Sequence, residues 1–105
     1  MYIYSMEQNL QGTLSNTPFT LYTCPQGSTA KITSLRFNNP SAYDLTLEKS
    51  SGSLHITTVI YSLTLDAGDS LNDNGLYFME PGDSLIVTSS TAGTTYLVYL
   101  VESPA

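Results

Sequence analysis

The chain has 105 residues, which suits one domain with a single modest core, and its hydrophobic share of 41% excludes a disordered segment. Its net charge of −6, with three cationic residues, argues against binding nucleic acid or an anionic membrane, because both need clustered positive charge. One cysteine forms neither an internal disulfide nor a thiolate metal site, and no apolar run approaches the roughly 18 residues of a membrane span.

Serine and threonine take the place of charged residues in the composition. Charged residues make up 11% of the chain, against about a quarter in a typical domain. Fourteen serines, fourteen threonines and eight tyrosines are present, and these residue types favour strands and turns over helices. The composition therefore predicts a β-rich protein.

The N-terminal segment differs from the rest of the chain. Residues 2–6 have the composition of a short strand or a mobile arm, and residues 8–17 are polar and predict a loop. We therefore expect an N-terminal arm or peripheral strand over residues 1–18 and a β-sandwich domain over residues 19–105. The start lacks the basic residues and apolar core of a secretory signal, which predicts synthesis in the cytoplasm.

Strands and turns alternate through the first half of the predicted domain. Residues rich in β-formers predict strands at 19–24, 29–38 and 43–49. Proline, glycine and asparagine mark turns at 25–28 and 38–41. This regular alternation is typical of an antiparallel all-β fold.

Two irregularities interrupt the alternation. Ile32 and Leu35 have odd spacing within one predicted strand, which predicts a β-bulge between them. Residues 54–65, after a hairpin connection at 50–53, are long for one strand and change their apolar face midway. This pattern predicts a bent strand or two separate strands.

A repeated turn organises the second half of the chain. Gly68-Asp-Ser-Leu71 and Gly82-Asp-Ser-Leu85 share the same four residues, each after an acid and a small residue or proline. In each copy we expect glycine to supply a positive φ, aspartate to bond back to the turn and serine to begin a strand. A further turn with positive φ is expected at residues 72–75. The residues predicted to shape the turns are Pro25, Gly27, Gly68, Asp69, Pro81, Gly82 and Asp83.

Short strands at 76–79, 84–89 and 95–102 complete the pattern. The chain thus has about seven to nine short strands, with a turn roughly every 8–12 residues and no helical periodicity of useful length. The predicted fold class is all-β, with a single antiparallel β-sandwich or jelly roll.

The final predicted strand is apolar on both faces. A strand of a small sandwich normally has one polar face, so the second apolar face indicates cover by another subunit, a partner protein or the N-terminal arm. We interpret it as a contact with another subunit or partner. The interface candidates are Tyr96, Leu97, Val98, Tyr99, Leu100 and Val101.

The Gly-Asp-Ser-Leu repeat also matches the nucleophile block of a lipase–esterase family. A serine nucleophile needs a positioned base, and the single histidine, His55, has no acid three residues before it. The motif also occurs twice, as a structural turn would. We therefore predict no catalytic residue and no enzyme activity.

Acidic residues near the turns raise the question of a cation site. Residues 70–75 resemble half of a helix-flanked calcium loop, but Ser70 and Pro81 stand where that loop needs Asp and Glu. Short acids commonly cap turns by accepting backbone N–H groups, and we favour that role, with no metal and no cofactor. A looser carboxylate site would use Asp66, Asp69, Asp73 and Asp83.

Aromatic residues suggest a carbohydrate-binding face as an alternative. Tyrosine with asparagine and aspartate stacks on and hydrogen-bonds sugars in many proteins, although this chain has no tryptophan. The tyrosines considered for this role are Tyr43, Tyr61, Tyr77, Tyr96 and Tyr99.

Residues 24–39, Cys-Pro-Gln-Gly-Ser-Thr-Ala-Lys-Ile-Thr-Ser-Leu-Arg-Phe-Asn-Asn, resemble a segment of small virion proteins of tailed bacteriophages. In those proteins a Pro-x-Gly turn precedes Thr-Ala-x-Ile, a strand and an Asn-rich turn. A Gly-Asp-Ser-Leu turn and strand follow later, as at residues 80–88 here. The resemblance covers residues 19–102 and implies a small β-sandwich that builds or decorates a phage particle, without catalytic residues.

The resemblance leads to a functional hypothesis. It implies a non-enzymatic virion component, either a capsid decoration protein or a head-fibre subunit, made in the host cytoplasm. Its partners would be itself, as a homo-oligomer such as a trimer, and other virion proteins such as the major capsid protein. A head–tail neck or tail component and a carbohydrate-binding module are the alternatives.

Overall fold

The computed structural model describes residues 5–105. Nine β-strands account for its regular structure and none of these residues lies in a helix, so the predicted all-β class is confirmed. This part of the chain accordingly contains no helix long and apolar enough to cross a membrane. In chain order the strands are β1 (Met6–Thr13), β2 (Phe19–Thr23), β3 (Ser28–Asn38), β4 (Tyr43–Ser50), β5 (Thr57–Leu65), β6 (Ser70–Asp73), β7 (Tyr77–Met79), β8 (Ser84–Ser89) and β9 (Thr95–Pro104).

The strands form two antiparallel sheets that pack face to face. The five-stranded sheet has the order β1-β9-β3-β6, with β7 also paired to β3. The four-stranded sheet has the order β2-β8-β4-β5. Every ladder in both sheets is antiparallel, so the predicted antiparallel sandwich is confirmed.

The longest ladder joins β3 and β9 in the middle of the five-stranded sheet. It has one register shift, between Ile32 and Ser34. The extra residue, Thr33, donates a hydrogen bond from its hydroxyl to the carbonyl oxygen of Tyr99 at 3.2 Å. The shift lets both Ile32 and Leu35 point into the core, at 0% and 1% exposure, so the predicted bulge is confirmed.

Inward side chains of both sheets form one hydrophobic core. Successive residues of a strand point to opposite faces, and β8 shows this alternation over its whole length. The largest fully buried side chains are Phe37, Ile32, Leu35, Leu45, Leu47, Met79, Leu85, Leu100, Val87, Val98, Asn39 and Thr94.

The N-terminal segment is more regular than its polar sequence predicts. The loop expected from residue 8 onward is wrong for residues 8–13, because these residues belong to β1, the edge strand beside β9. Backbone pairing rather than apolar alternation holds this strand, and its inward residues Gln8 and Leu10 are only partly buried. The strand or arm expected at residues 2–6 lies mostly outside the described residues.

The segment predicted to be a bent strand is a turn followed by an edge strand. The chain turns back through His55, whose φ is 56°, and a backbone hydrogen bond of 2.8 Å joins Ser51 to Ile56. β5 then pairs with β4 and carries a register shift at Ile60. The apolar face therefore changes for two reasons, the turn at His55 and the register shift at Ile60. Leu54 and Ile56 lie before β5 begins, and both are exposed.

The two Gly-Asp-Ser-Leu turns lie at opposite ends of the sandwich. Gly68 donates its N–H to the carbonyl of Asn39 at one end, and Gly82 donates to Cys24 at the other. Their φ angles are 82° and 88°, a left-handed conformation that side chains resist. In each turn the aspartate N–H bonds to the carbonyl three residues earlier, at 3.1 Å and 3.0 Å. One turn geometry is therefore used twice.

The turn expected at residues 72–75 has a different geometry. β6 extends to Asp73, and the Asp73 carboxylate accepts a hydrogen bond from the N–H of Gly75 at 2.8 Å. Gly75 is not among the glycines with positive φ, so the predicted φ is wrong. A side-chain hydrogen bond closes this turn in place of a left-handed glycine.

Replacing Gly82 with alanine should lower the free energy of unfolding by about 1–3 kcal/mol, because a side chain at a φ of 88° is strained. Urea unfolding followed by circular dichroism measures the change. The matched control is Ser84→Ala, which removes an exposed hydroxyl bond to Thr23 and should cost under about 0.5 kcal/mol. A serine variant less stable than the glycine variant would overturn the turn interpretation.

Candidate interaction surface

The two serines of the repeat lie in hydrogen-bonded turn positions. Ser70 accepts a hydrogen bond from the side-chain amide of Asn38 at 2.8 Å, and Ser84 shares one with the hydroxyl of Thr23 at 2.9 Å. His55 lies in an exposed turn, and neither serine hydroxyl bonds to it in the described structure. The geometry thus gives both serines a structural part at the start of β6 and β8.

Asp83 closes one end of the sandwich with a buried carboxylate. It is 4% exposed and accepts hydrogen bonds of 3.0 Å from the N–H groups of Glu80 and Gly52. The ammonium of Lys49 lies 3.6 Å from this carboxylate and donates to the carbonyl oxygen of Phe78 at 2.8 Å. Because Lys49 is on β4 and Phe78 on β7, this group, which we call the Asp83 clamp, connects the two sheets.

The surroundings of Asp83 lower its pKa. Burial by itself raises the pKa of the carboxyl group, but the N–H groups of Glu80 and Gly52 and the charge of Lys49 outweigh it, so the pKa lies below its usual range. The carboxylate is therefore ionised in the folded protein at neutral pH, and its partners are all hydrogen-bond donors suited to a negative charge.

A second polar cluster closes the opposite end. Asn39, Ser89 and Thr94 are at 2%, 0% and 0% exposure. The Asn39 amide donates to the Thr94 hydroxyl at 2.9 Å, and the Ser89 hydroxyl lies 2.7 Å from the same oxygen. Buried polar groups are costly unless they are paired, so this cluster fixes the loops before β4 and β9 relative to each other.

The other aspartates considered for a cation site lie in or beside turns. The Asp73 carboxylate accepts a hydrogen bond from the Tyr77 hydroxyl at 2.7 Å, and burial together with this bond raises the pKa of Tyr77 to about 12. The nearby Tyr61 hydroxyl is buried without a hydrogen-bond partner in the described structure. Asp66 and Asp69 belong to the turn between β5 and β6. Among residues 5–105 no group of three or more His, Cys, Asp or Glu is placed to hold a metal ion.

Cys24 is a buried thiol. It is 1% exposed, and its Sγ donates to the carbonyl oxygen of Ser28 at 3.3 Å. Burial raises the pKa of the thiol. A protonated thiol that solvent does not reach is a poor nucleophile and does not meet the cysteine of a second chain.

The tyrosines considered for carbohydrate binding do not share a surface. Tyr43 is 2% exposed, and its hydroxyl donates to a backbone carbonyl at 2.8 Å. Tyr61, Tyr77 and Tyr96 are partly buried against the core, so Tyr99 is the one exposed member of this set. The five residues therefore form no common stacking platform.

β9 lies inside the five-stranded sheet, between β1 and β3. Val98 and Leu100 point into the core, at 0% and 1% exposure, so the prediction that they contact another subunit is wrong. Leu97, Tyr99 and Val101 alternate with them and point away from the core, and Tyr99 is 46% exposed. The described part of the N-terminal segment pairs beside β9 and does not cover this outer face.

Tyr96, another interface candidate, also belongs to the inner side of the sheet. Its ring is partly buried against the core, and its centroid lies 5.7 Å from that of Phe19. Gly12 on β1 leaves room for the ring, since a Cβ there would lie 2.7 Å from the Tyr96 hydroxyl. Tyr96 thus fills the space between the sheets at one edge.

The outer side of the five-stranded sheet has apolar and cationic side chains at its centre, which we call the β9 face, and an acid, Glu7, at its β1 edge. Residues opposite each other in paired strands share a face, so Lys31 on β3 lies between Val101 on β9 and Phe78 on β7. Phe78 is 59% exposed, and the Lys31 ammonium lies 5.6 Å from its ring centroid. The β9 face consists of Lys31, Arg36, Phe78, Leu97, Tyr99 and Val101.

The sequence pattern predicts that the β9 residues of this face form a contact, but it does not predict the same for Phe78 or Lys31. Their position depends on ladders between β3 and two strands far from it in the chain, and no local pattern reports that pairing. A signal was present in the short strand β7, where Tyr77 and Met79 point inward and leave Phe78 outside. In β3, the alternation of inward and outward side chains likewise places Arg36 outside, between the buried Leu35 and Phe37.

Solved structures contain this fold, whereas no protein family and no curated protein matches the sequence. A chain from the disulfide-linked pili formed by Bacillus endospore appendages matches with a TM-score of 0.62 at 14% identity, over 97% of this chain and 88% of that chain. A chain from the infectious bursal disease virus particle matches with a TM-score of 0.51 at 13% identity. That match covers 98% of this chain and 35% of the viral chain, so this chain spans about a third of it. At these identities the likeness shows a shared fold alone.

Replacing Asp83 with asparagine should lower the free energy of unfolding at pH 7 by about 1–3 kcal/mol, because one buried N–H group loses its acceptor. A carboxyl whose pKa is lowered on folding stabilises the protein above its unfolded pKa of about 3.9, and that stability is lost as the pH falls through the folded pKa. The difference between wild type and variant should therefore shrink below about pH 4.

Urea unfolding at pH 7 and pH 3 measures both effects of the Asp83 substitution. The control is Asp66→Asn, because the Asp66 side chain is exposed and should change stability by under about 0.5 kcal/mol at either pH. A gap between wild type and Asp83→Asn that is equal at the two pH values would contradict the assigned role of the carboxylate.

Proposed function

We propose that this chain is a non-enzymatic structural subunit of a bacteriophage virion, either a capsid decoration protein or a subunit of a head fibre. It acts through repeated contacts with copies of itself, in an assembly such as a trimer, and with other virion proteins such as the major capsid protein. The observation that carries the proposal is the β9 face, where aromatic and aliphatic side chains point outward from the interior of a sheet.

The composition of the β9 face supports a protein contact. The outer face of an antiparallel sheet is normally polar, but here Phe78 and Tyr99 are 59% and 46% exposed, beside Leu97 and Val101. Removing apolar surface from water contributes roughly 25 cal/mol per Å², and aromatic residues carry much of the binding energy in protein interfaces. A second protein surface would stabilise these side chains by covering them.

The shared fold is compatible with this role. An endospore pilus and a virus particle both contain chains of this fold. The pilus is disulfide-linked, whereas this chain has one cysteine, Cys24, and it is 1% exposed. The contacts proposed here are therefore non-covalent and depend on the surfaces of the sandwich.

Replacing Tyr99 with glutamate should weaken self-association about tenfold or more, because a charge would replace an aromatic anchor of the β9 face. Sedimentation equilibrium of the purified protein measures this effect. The matched control is Leu54→Glu, which makes a similar change at a side chain that is 69% exposed outside the β9 face. Equal association of wild type and Tyr99→Glu would argue against the β9 face as the contact.

Particle composition tests the virion role itself. Mass spectrometry of intact, purified phage particles should find this chain in many copies. A wild-type protein that stays monomeric at high concentration and is missing from the particles would sink the proposal.

Reducing agent should leave the association state unchanged, because the single thiol of the chain is buried in the fold. Sedimentation with and without dithiothreitol, together with a non-reducing gel of the folded protein, measures this. The comparison needs no variant, since the two conditions control each other. A covalent dimer on the non-reducing gel would contradict the non-covalent contact.

A further inference from the structure

The cationic residues of the chain are unevenly placed. Lys31 and Arg36 are exposed and point outward from β3, whereas the third cation, Lys49, is held in the Asp83 clamp. In residues 5–105 no carboxylate lies within 4.0 Å of Lys31 or Arg36. Both unpaired cations of a chain with a net charge of −6 thus lie on the β9 face, and the acid on the same side, Glu7 at the edge strand β1, is separated from Lys31 by Val101.

The outer side of the four-stranded sheet has the opposite character. Asp44 and Glu48 alternate with the buried residues of β4 and point outward. The strands of this sheet contain one cation, Lys49, and it lies opposite the fully buried Leu85, on the inner side. Both charges on this surface, which we call the β4 face, are therefore negative.

The neighbours of the charged residues also correspond on the two faces. Across the five-stranded sheet, Lys31 lies between Phe78 and Val101. Across the four-stranded sheet, Glu48 lies between Val59 and Ile86, and Val59 is 56% exposed. Lys31 and Glu48 are thus each flanked by two apolar side chains, and their charges have opposite signs on the two sides of the molecule.

The spacing along the strands matches as well. At about 3.3 Å per residue, the pair Lys31 and Arg36 and the pair Asp44 and Glu48 each span roughly 13–16 Å. β3 and β4 each stand third in the order of their sheets. The hydroxyl of Tyr43 on β4 donates to a carbonyl near the end of β3 at 3.4 Å, so Asp44 and Arg36 lie at the same end of the sandwich.

We infer that the β9 face of one copy binds the β4 face of the next, so that copies of this chain stack head to tail. A shift of one copy along the normal to the sheets brings Arg36 towards Asp44 and Lys31 towards Glu48, and places Phe78 over Val59. The contact joins two different surfaces, so it leaves one of each free and continues into an open stack or closes into a ring. This inference rests on the proposed self-association and names its partner surface.

Charge reversal tests the stacking directly. The first variant is Lys31→Glu with Arg36→Glu, and the second is Asp44→Lys with Glu48→Lys. Each should weaken self-association about tenfold or more, because like charges then face each other across the contact. A mixture of the two variants should associate again, and so should the protein carrying all four substitutions, since opposite charges face each other in both cases.

Two controls make the result specific. Asp66→Lys with Asp69→Lys makes the same change in net charge as the second variant, but in a turn outside both faces, and should leave association nearly unchanged. Urea unfolding of every variant shows whether it folds, and recovery in the mixture excludes misfolding as the cause of a loss. Wild-type association should also weaken with added salt, because salt screens exposed charges.

The outcomes separate this inference from the proposed function. Loss in both double variants and recovery in the mixture support head-to-tail stacking. Tyr99→Glu could block self-association while Asp44→Lys with Glu48→Lys weakens it no more than the Asp66 and Asp69 control does. That result would overturn head-to-tail stacking but leave the proposed structural role standing. A wild-type chain that does not associate and is missing from particles overturns both.

Discussion

The buried carboxylate of Asp83 is the contact on which the candidate surface depends. Its hydrogen bonds fix the turns before β5 and β8, and Lys49, held by the same carboxylate, reaches across to the carbonyl of Phe78. That bond holds β7, a strand of only three residues. With β7 in place beside β3, Phe78 points to the outside next to Lys31. The electrostatics of one end of the core therefore help to hold Phe78 on the outer face.

The position of β9 has a similar effect. The strand is paired on both sides, with β1 and with β3, so its backbone is ordered before any contact forms. Side chains on an ordered strand lose less entropy on binding than those on a loop, which favours tight contacts for a given area. The bulge at Thr33 keeps Ile32 and Leu35 in the core while Lys31 and Arg36 remain outside. The same irregularity therefore serves both the core and the surface.

Most of the fold follows from local sequence patterns. Alternation and turn chemistry predict β2, β3, β4, β8 and β9, and the spacing of Ile32 and Leu35 predicts the bulge. A peripheral strand is one expectation for residues 1–18, but the bounds of β1 are not predicted, because its sequence is polar and it pairs with a strand at the other end of the chain. The positive φ predicted for Gly75 is wrong because a hydrogen bond to the Asp73 side chain closes that turn.

The sequence predicts only part of the candidate surface. The apolar outer residues of β9 signal a contact, but the same pattern includes Val98 and Leu100, which the core uses. Lys31 and Phe78 meet only through the order of strands in the sheet. Whether an apolar strand faces a core, a neighbour or water depends on that order, which periodicity does not report.

The register shifts of the four-stranded sheet have a consequence for solubility. Both of its edge strands are irregular, β2 near Leu21 and β5 at Ile60, and the far edge of the other sheet is divided between the short strands β6 and β7. Unbroken edges are templates for strand addition and amyloid-like aggregation, and irregular edges resist it. Three of the four sheet edges are therefore poor templates for uncontrolled strand addition, and β1, which pairs with β9 without a register shift, is the regular one.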